Sequence, residues 1–197
     1  MSHVSLTDRA SPTGPSFSDG LFLANNIAAG ANAVWVTSSR GYVAEIDPST
    51  NRVVEEYQLS PDSPQEIAMS GDVGWLAAGE EGIAILRPSE STPSVVPVTI
   101  DGQPTFVSSV TVYQGQVWIA GSILVPDAPA RLTYSGHSFV GLLDPSTGEL
   151  STSAPTSLHY PMLASTSGGL WVTDGQHIIS SVGLDSSLTG SGAAQSR

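Results

Sequence analysis

Four residues of this chain carry side chains suited to moving a proton or holding a cation: Glu66, Asp101, His159 and Tyr160. Two carboxylates offer hard oxygen ligands for a divalent cation such as Ca or Mg. An imidazole beside a phenol adds a group that titrates near neutrality and a second proton carrier. His159, Glu66 and Tyr160 are therefore the catalytic candidates, and Glu66, Asp101 and His159 the metal candidates. Asp101, Asp127, Arg131, Tyr134, His137, Asp174 and His177 are candidates for gripping a ligand, with Asp62 among them. These residues lie far apart in the chain, so any site they form depends on the elements that bring them together. No Gly-rich phosphate loop and no Gly-x-Ser-x-Gly elbow is present, and the absence of cysteine excludes a thiol nucleophile or thiolate metal site.

Composition narrows the classes of function. The chain has 197 residues, 40% of them hydrophobic and only 12% charged, with 20 glycines and 14 prolines spread along it. That balance fits many short strands, each needing a turn. Six arginines and no lysine face 18 acids, for a formal charge of -12. Such a surface repels phosphate backbones and anionic membranes, so no nucleic-acid partner is expected. Residues 1–20 are polar and lack the apolar run of a signal peptide. No apolar run approaches the roughly 20 residues that span a bilayer, so a soluble chain is expected, its compartment left open.

The elements that would position the candidates repeat. Ala33-Val34-Trp35-Val36-Thr37 returns as Val73-Gly74-Trp75-Leu76-Ala77, as Gln116-Val117-Trp118-Ile119-Ala120 and as Gly169-Leu170-Trp171-Val172-Thr173. Every tryptophan holds the same place, at spacings of 40, 43 and 53 residues. A period near 40 to 45 is that of a four-stranded propeller blade. The fold class is therefore all-β, a β-propeller with about four recognisable four-stranded blades. It is either a closed small ring or part of a six- to eight-bladed propeller. The blades are expected near 27–60, 66–100, 106–155 and 162–190. Residues 1–26 read as a partial blade or closing strand behind a flexible start, and 191–197 as a disordered tail.

Turn chemistry supports the phase. In Asp47-Pro48-Ser49-Thr50-Asn51 the proline sets φ for the turn, Asp47 accepts from amides ahead of it, and Asn51 tolerates the left-handed region. Asp144-Pro145-Ser146-Thr147-Gly148 repeats this turn, and Asp185 to Gly190 is a looser copy. These aspartates are expected to be structural, and the tryptophans to be packing between blades rather than a ligand cage.

The paired Val34-Trp35-Val36-Thr37 and Ile46 to Val54 segments, with their later copies, resemble the YVTN-type repeat propellers. Those include the virginiamycin B lyase-like and YncE-like proteins. The resemblance covers roughly Ile27 to Asp185 and implies a propeller fold. Its lyase members imply a histidine and acids near a channel mouth with a divalent cation. No His-x-His or Glu-x-His pair stands at a matching point here, so no catalytic residue is carried across.

In a four-stranded meander, loops alternate between two faces. One face here is expected to hold short stereotyped turns. The other holds the starts of the innermost strands and an insertion, Gly121 to His137. Variable loops gathered on one face mark the binding face of repeat proteins. Three readings follow. The first is a binding module for a protein, peptide or small-molecule ligand, using the insertion-bearing face. The second is a metal-assisted lyase or lactonase-type enzyme. The third is a sensor or regulatory fragment of a larger propeller, with possible self-association or pairing with missing blades.

Overall fold

A computed structural model describes residues 24–38, 40–59, 66–90, 92–128, 131–156, 158, 160–173 and 179–182, with only the backbone of 126–128, 131–134, 151–156 and 179–180. The described residues form four antiparallel sheets joined in chain order. Sheet I comprises β1 (Ala24–Ala29), β2 (Val34–Ser38), β3 (Tyr42–Asp47) and β4 (Arg52–Gln58). Sheet II comprises β5 (Ile67–Ser70), β6 (Val73–Ala77), β7 (Ile83–Leu86) and β8 (Ser94–Val96). Sheet III has five strands: β9 (Thr99–Ile100), β10 (Gln103–Tyr113), β11 (Gln116–Ala128), β12 (Arg131–Leu143) and β13 (Leu150–Thr156). Sheet IV has three: β14 (Met162–Thr166), β15 (Gly169–Thr173) and β16 (Ile179–Val182). Among the described residues no helix is long and apolar enough to cross a membrane.

Each sheet is a meander, and consecutive sheets meet through their first long strands: β1 against β5, β5 and β6 against β10, and β10 and β11 against β14. This is the radial arrangement of propeller blades, and the chain has that all-β architecture. Period-2 alternation builds the interfaces. In sheet II, Leu76, Ala84 and Leu86 pack toward sheet I with Trp35, Val43 and Tyr57. Trp75, Ala77, Ile83 and Ile85 face the other way, against Val107, Val110, Ile119 and Phe139 of sheet III. Trp118, Ala120 and Val140 of sheet III then meet Leu163, Leu170 and Val172 of sheet IV.

Trp35, Trp75 and Trp118 are thus equivalent residues, each buried between its own sheet and the next. Among the described residues their indole N–H groups find no acceptor. That omission costs about 1–3 kcal/mol apiece. Removing about 200 Å² of ring from water at about 25 cal/mol/Å² outweighs it. These rings therefore serve packing, as expected. The fourth, Trp171, is 39% exposed, and Ile27 of β1 is 70% exposed.

Sheet III departs most from the expected pattern. The insertion Gly121 to His137 is not a loop: β11 and β12 continue through it as a paired ribbon, from Ser122↔Ser138 through Leu124↔Tyr134 to Ala128↔Arg131. Ile123, Leu124 and Val125 are a β-prone apolar run, and Leu124, Val125 and Pro126 pair with Tyr134, Thr133 and Leu132. Asp101 and Gly102, with φ of 51° and 77°, make the two-residue turn from β9 to β10. Both need φ > 0, which Asp-Gly supplies at low strain. Consequently Thr99 and Ile100 belong to the third sheet, and β10 starts at Gln103 rather than near 106.

Candidate functional site

The aspartate turns behave as the sequence implies. Asp47 Oδ1 accepts from the Ser49 amide at 2.7 Å and Oδ2 from the Thr50 hydroxyl at 2.9 Å, and Asn51 takes φ 56°. Asp144 Oδ1 accepts from the Ser146 amide at 2.9 Å, with Gly148 at φ 77°. These bonds hold both carboxyls below the usual carboxylate range, the Ser49 and Ser146 hydroxyls contributing most. With their lone pairs engaged locally, they are turn-formers. The Asp185 copy lies outside the described residues.

Asp72 does something the sequence did not announce. Its Oδ1 accepts from the amides of Ala31 at 2.8 Å and Asn32 at 3.0 Å, and its Oδ2 from the Asn32 side chain at 2.5 Å. A turn of sheet II thereby clasps the equivalent turn of sheet I, and these bonds lower the Asp72 pKa.

Glu66 stands immediately before β5, where its carbonyl accepts from Ala77 N at 3.0 Å. Burial raises its pKa, and the nearby Ser109 hydroxyl and Val110 amide of β10 partly offset this. Ser109 Oγ also accepts from the Leu163 amide of β14 at 2.8 Å. Ser109 thus bonds sheet III to sheet IV and lies beside the Glu66 carboxyl at the start of sheet II. Ser108 Oγ adds a bond to Pro161 O at 2.9 Å, and Thr111 Oγ1 one to Ser165 Oγ at 3.1 Å.

A β-bulge creates this seam. Val107 pairs with Gly121 and Ser109 with Ala120, so Ser108 is the extra residue of β10. Bulges re-aim side chains and bend strands. This one lets Val107, Ser109 and Val110 all be buried, and it brings the Val107 backbone onto Gly79 of sheet II through two hydrogen bonds of 2.9 and 3.2 Å. Gly121 is required beside it, because a Cβ there would lie 2.1 Å from the Phe106 carbonyl oxygen. The sequence signal was Val107-Ser108-Ser109-Val110, where apolar alternation skips a beat.

The other candidates are distributed as follows. Tyr160 is 55% exposed at φ 50°, just before β14. Asp101 is exposed in the β9–β10 turn. His137 is exposed on the β11–β12 ribbon, in a bulge where residues 135–137 oppose Ile123 alone, its amide donating to Ser135 Oγ at 3.1 Å. Asp127 is the extra residue of a second bulge, between Pro126↔Leu132 and Ala128↔Arg131. Arg131 and Tyr134 are placed by backbone pairing on the same ribbon. Asp62, His159, Asp174 and His177 lie outside the described residues. Among the described residues no three His, Asp or Glu side chains gather as a metal site. Glu66 lies beside β10, and Asp101 is in the β9–β10 turn.

Elsewhere, Glu45 is buried between sheets I and II, accepting from the Ser89 amide at 3.2 Å, and burial raises its pKa. Tyr57 donates to Glu90 O beside it, and burial raises that phenol's pKa as well. This pair braces the outer rim of the interface.

No protein-family model matches the chain, and no curated protein matches it. Solved structures do. The computationally designed Ika4 protein is 12% identical, with a TM-score of 0.59 over 91% of this chain and 95% of that one. The computationally designed Ika8 protein is 11% identical, with a TM-score of 0.55 over 80% of this chain but only 44% of that one. The chain thus spans less than half the length of Ika8. The Myceliophteria thermophila Cps50 (Swd1) beta-propeller domain gives 12% identity and a TM-score of 0.43, over 80% of this chain and 64% of that domain. At these identities the likeness concerns the fold alone, which is that of a small β-propeller.

Proposed function

We propose that this chain is a propeller binding module whose ligand face carries the β11–β12 ribbon, and that its ligand is a protein or peptide segment. One observation carries the reading. Sheet III alone extends two strands to 13 residues each, against four or five for the same strands in sheet II. The ribbon carries two bulges, one at residues 135–137 that holds the exposed His137 and one whose extra residue is Asp127. The opposite face, by contrast, uses its aspartates on its own turns. A formal charge of -12 favours a cationic segment. Kinship with the YVTN-type propellers is part of this proposal, resting on Val34 to Thr37 and Ile46 to Val54.

The test is a peptide-display library panned against the full chain, with hits measured by fluorescence anisotropy on it and on a variant whose residues 125–133 are replaced by Asn-Gly. Hits should lose at least about tenfold in affinity, or about 1.4 kcal/mol, on the shortened ribbon. Equal binding to both proteins, with native near-ultraviolet circular dichroism, would place the ligand elsewhere and refute the proposal.

A metal-assisted lyase or lactonase reading is favoured by one feature, the half-buried Glu66 carboxyl with its raised pKa. It requires Ca²⁺ or Mg²⁺ to bind at Glu66. Calorimetric titration of either ion into wild type and Glu66→Gln checks this, and identical traces would sink it.

A further inference from the structure

We propose that the outer edge of β12 in the ribbon, residues 131–134, binds an extended peptide as an added β-strand, through main-chain hydrogen bonds. This edge is the holding element of the binding module proposed above, and its role rests on that reading. The ladder defines it. β10 pairs with β11 only as far as Thr105↔Ile123, and β13 with β12 only as far as Ser138↔Thr156. Beyond those points β11 and β12 run on with each other, through Leu124↔Tyr134 to Ala128↔Arg131. Among the described residues no further strand or bridge pairs with 131–134. In an antiparallel pair every second residue turns its N–H and C=O away from its partner. About half of the main-chain groups of this edge are therefore placed to receive another strand.

The outermost strands of sheets I, II and III carry the devices that discourage such pairing, namely proline, bulges, charge or shortness. β4 has a bulge and the acids Glu55 and Glu56, β8 has only three residues, and β13 contains Pro155. The opposite edge of the ribbon is blunted as well. There Pro126 has no N–H to donate, and Asp127 is the extra residue of a bulge. Residues 131–134 read Arg-Leu-Thr-Tyr, with no proline, and Thr133 and Tyr134 are strand-favouring types. The bulge at 135–137, with Gly136 at φ 78° and the His137 amide donating to Ser135 Oγ at 3.1 Å, separates this edge from β13. Charge selects the occupant. Two chains at -12 each repel, which disfavours pairing with a second copy, whereas a cationic peptide is drawn in. Binding should therefore weaken as salt rises.

The probe is the tightest peptide from the display library whose binding needs the ribbon. Amide hydrogen exchange of the full chain is read by NMR with and without it. Exchange should slow at least about tenfold at alternate amides of 131–134, and stay unchanged in β8. The peptide is then N-methylated at one backbone nitrogen at a time. Affinity should fall at least about tenfold at every second position and little between, the signature of one strand edge meeting another. A peptide that needs the ribbon yet leaves exchange at 131–134 unchanged, or tolerates N-methylation throughout, would overturn this proposal while sparing the binding-module reading. Library peptides that all bind equally to the shortened ribbon would overturn both. Slow exchange at 131–134 in the free chain, lost on dilution, would give the edge to a second copy and overturn the peptide proposal.

Discussion

Sheets II and III share a tryptophan, a phase and a place in the array, yet differ in nearly everything else. Sheet II is built from strands of three to five residues, while the central strands of sheet III run to 11 and 13. Trp75 and Trp118 nonetheless sit 8% and 5% exposed in equivalent interfaces. The packing seam fixes how one sheet meets the next. Strand length beyond that seam is free to change, and it has changed on one side only. In sheet III the extra length comes with a bulged, serine-rich inner strand bonded to both neighbouring sheets.

The hardest blow to this comparison is to the seam itself. Trp75→Ala and Trp118→Ala should each lose about 3–5 kcal/mol in chemical denaturation, and by similar amounts despite the difference in their sheets. Trp171→Ala, at a ring 39% exposed, should lose only about 1 kcal/mol. A clear inequality between the first two would show that the seam is not a common unit.

Next come two glycines with different neighbours. Gly121→Ala drives a Cβ into a backbone oxygen 2.1 Å away and should cost about 3 kcal/mol, or prevent folding. Gly74→Ala meets only side-chain atoms, Leu86 Cβ at 3.2 Å and Trp35 Cδ1 at 3.3 Å. It should cost about 1 kcal/mol, because side chains yield where backbone does not. Equal thermal shifts for the two would deny the bulge its special geometry.

A smaller effect separates the buried acids from the turn acids through pH. Burial raises the folded pKa of Glu66 and Glu45 above the ordinary 4.5. Their contribution is therefore fully present below that value and is lost as pH rises through the raised one. Asp47, Asp72 and Asp144 have lowered values, so theirs is present above the ordinary 3.8 and is lost as pH falls through the depressed value. Stability should peak under mildly acidic conditions. Glu66→Gln should flatten the decline toward neutral pH by about 3 °C in Tm. An unchanged decline would remove Glu66 from the account. Smallest of all, replacing residues 125–133 with Asn-Gly should leave Tm within about 2 °C of wild type, since the change lies outside all three interfaces. A large drop would make the ribbon part of the core.

Much of the fold was legible in the sequence because it rests on local signals. Tryptophan spacing set the phase, and Asp-Pro-Ser-Thr turns with a left-handed fifth residue marked the third-to-fourth strand corners. The candidate site was far less legible. Asp101 also makes the Asp-Gly turn from β9 to β10, a backbone role that reading side chains alone as ligands leaves out. Gly121 to His137 looked like a loop because two bulges break the alternation that would have declared it a ribbon. Glu66, expected as a catalytic or metal candidate, stands just before β5 with its pKa raised by burial. Its partners, though, come from Ser109 and Val110, more than forty positions away in another sheet, and no local pattern records such a contact. The clasp of Asp72 on Asn32 escaped notice for the same reason.

The bulges in the ribbon bear on how this molecule tolerates changes of length. In a plain hairpin, inserting an odd number of residues into one strand turns every side chain beyond it to the wrong side. Here the mismatch is absorbed locally, once at residues 135–137 and once at Asp127, while the pairings on the body side of Ser122↔Ser138 stay in register. Insertions and deletions can therefore accumulate at the outer end without reaching Trp118 or the serine seam. The ribbon is the part of the chain where length can vary at little risk to the rest.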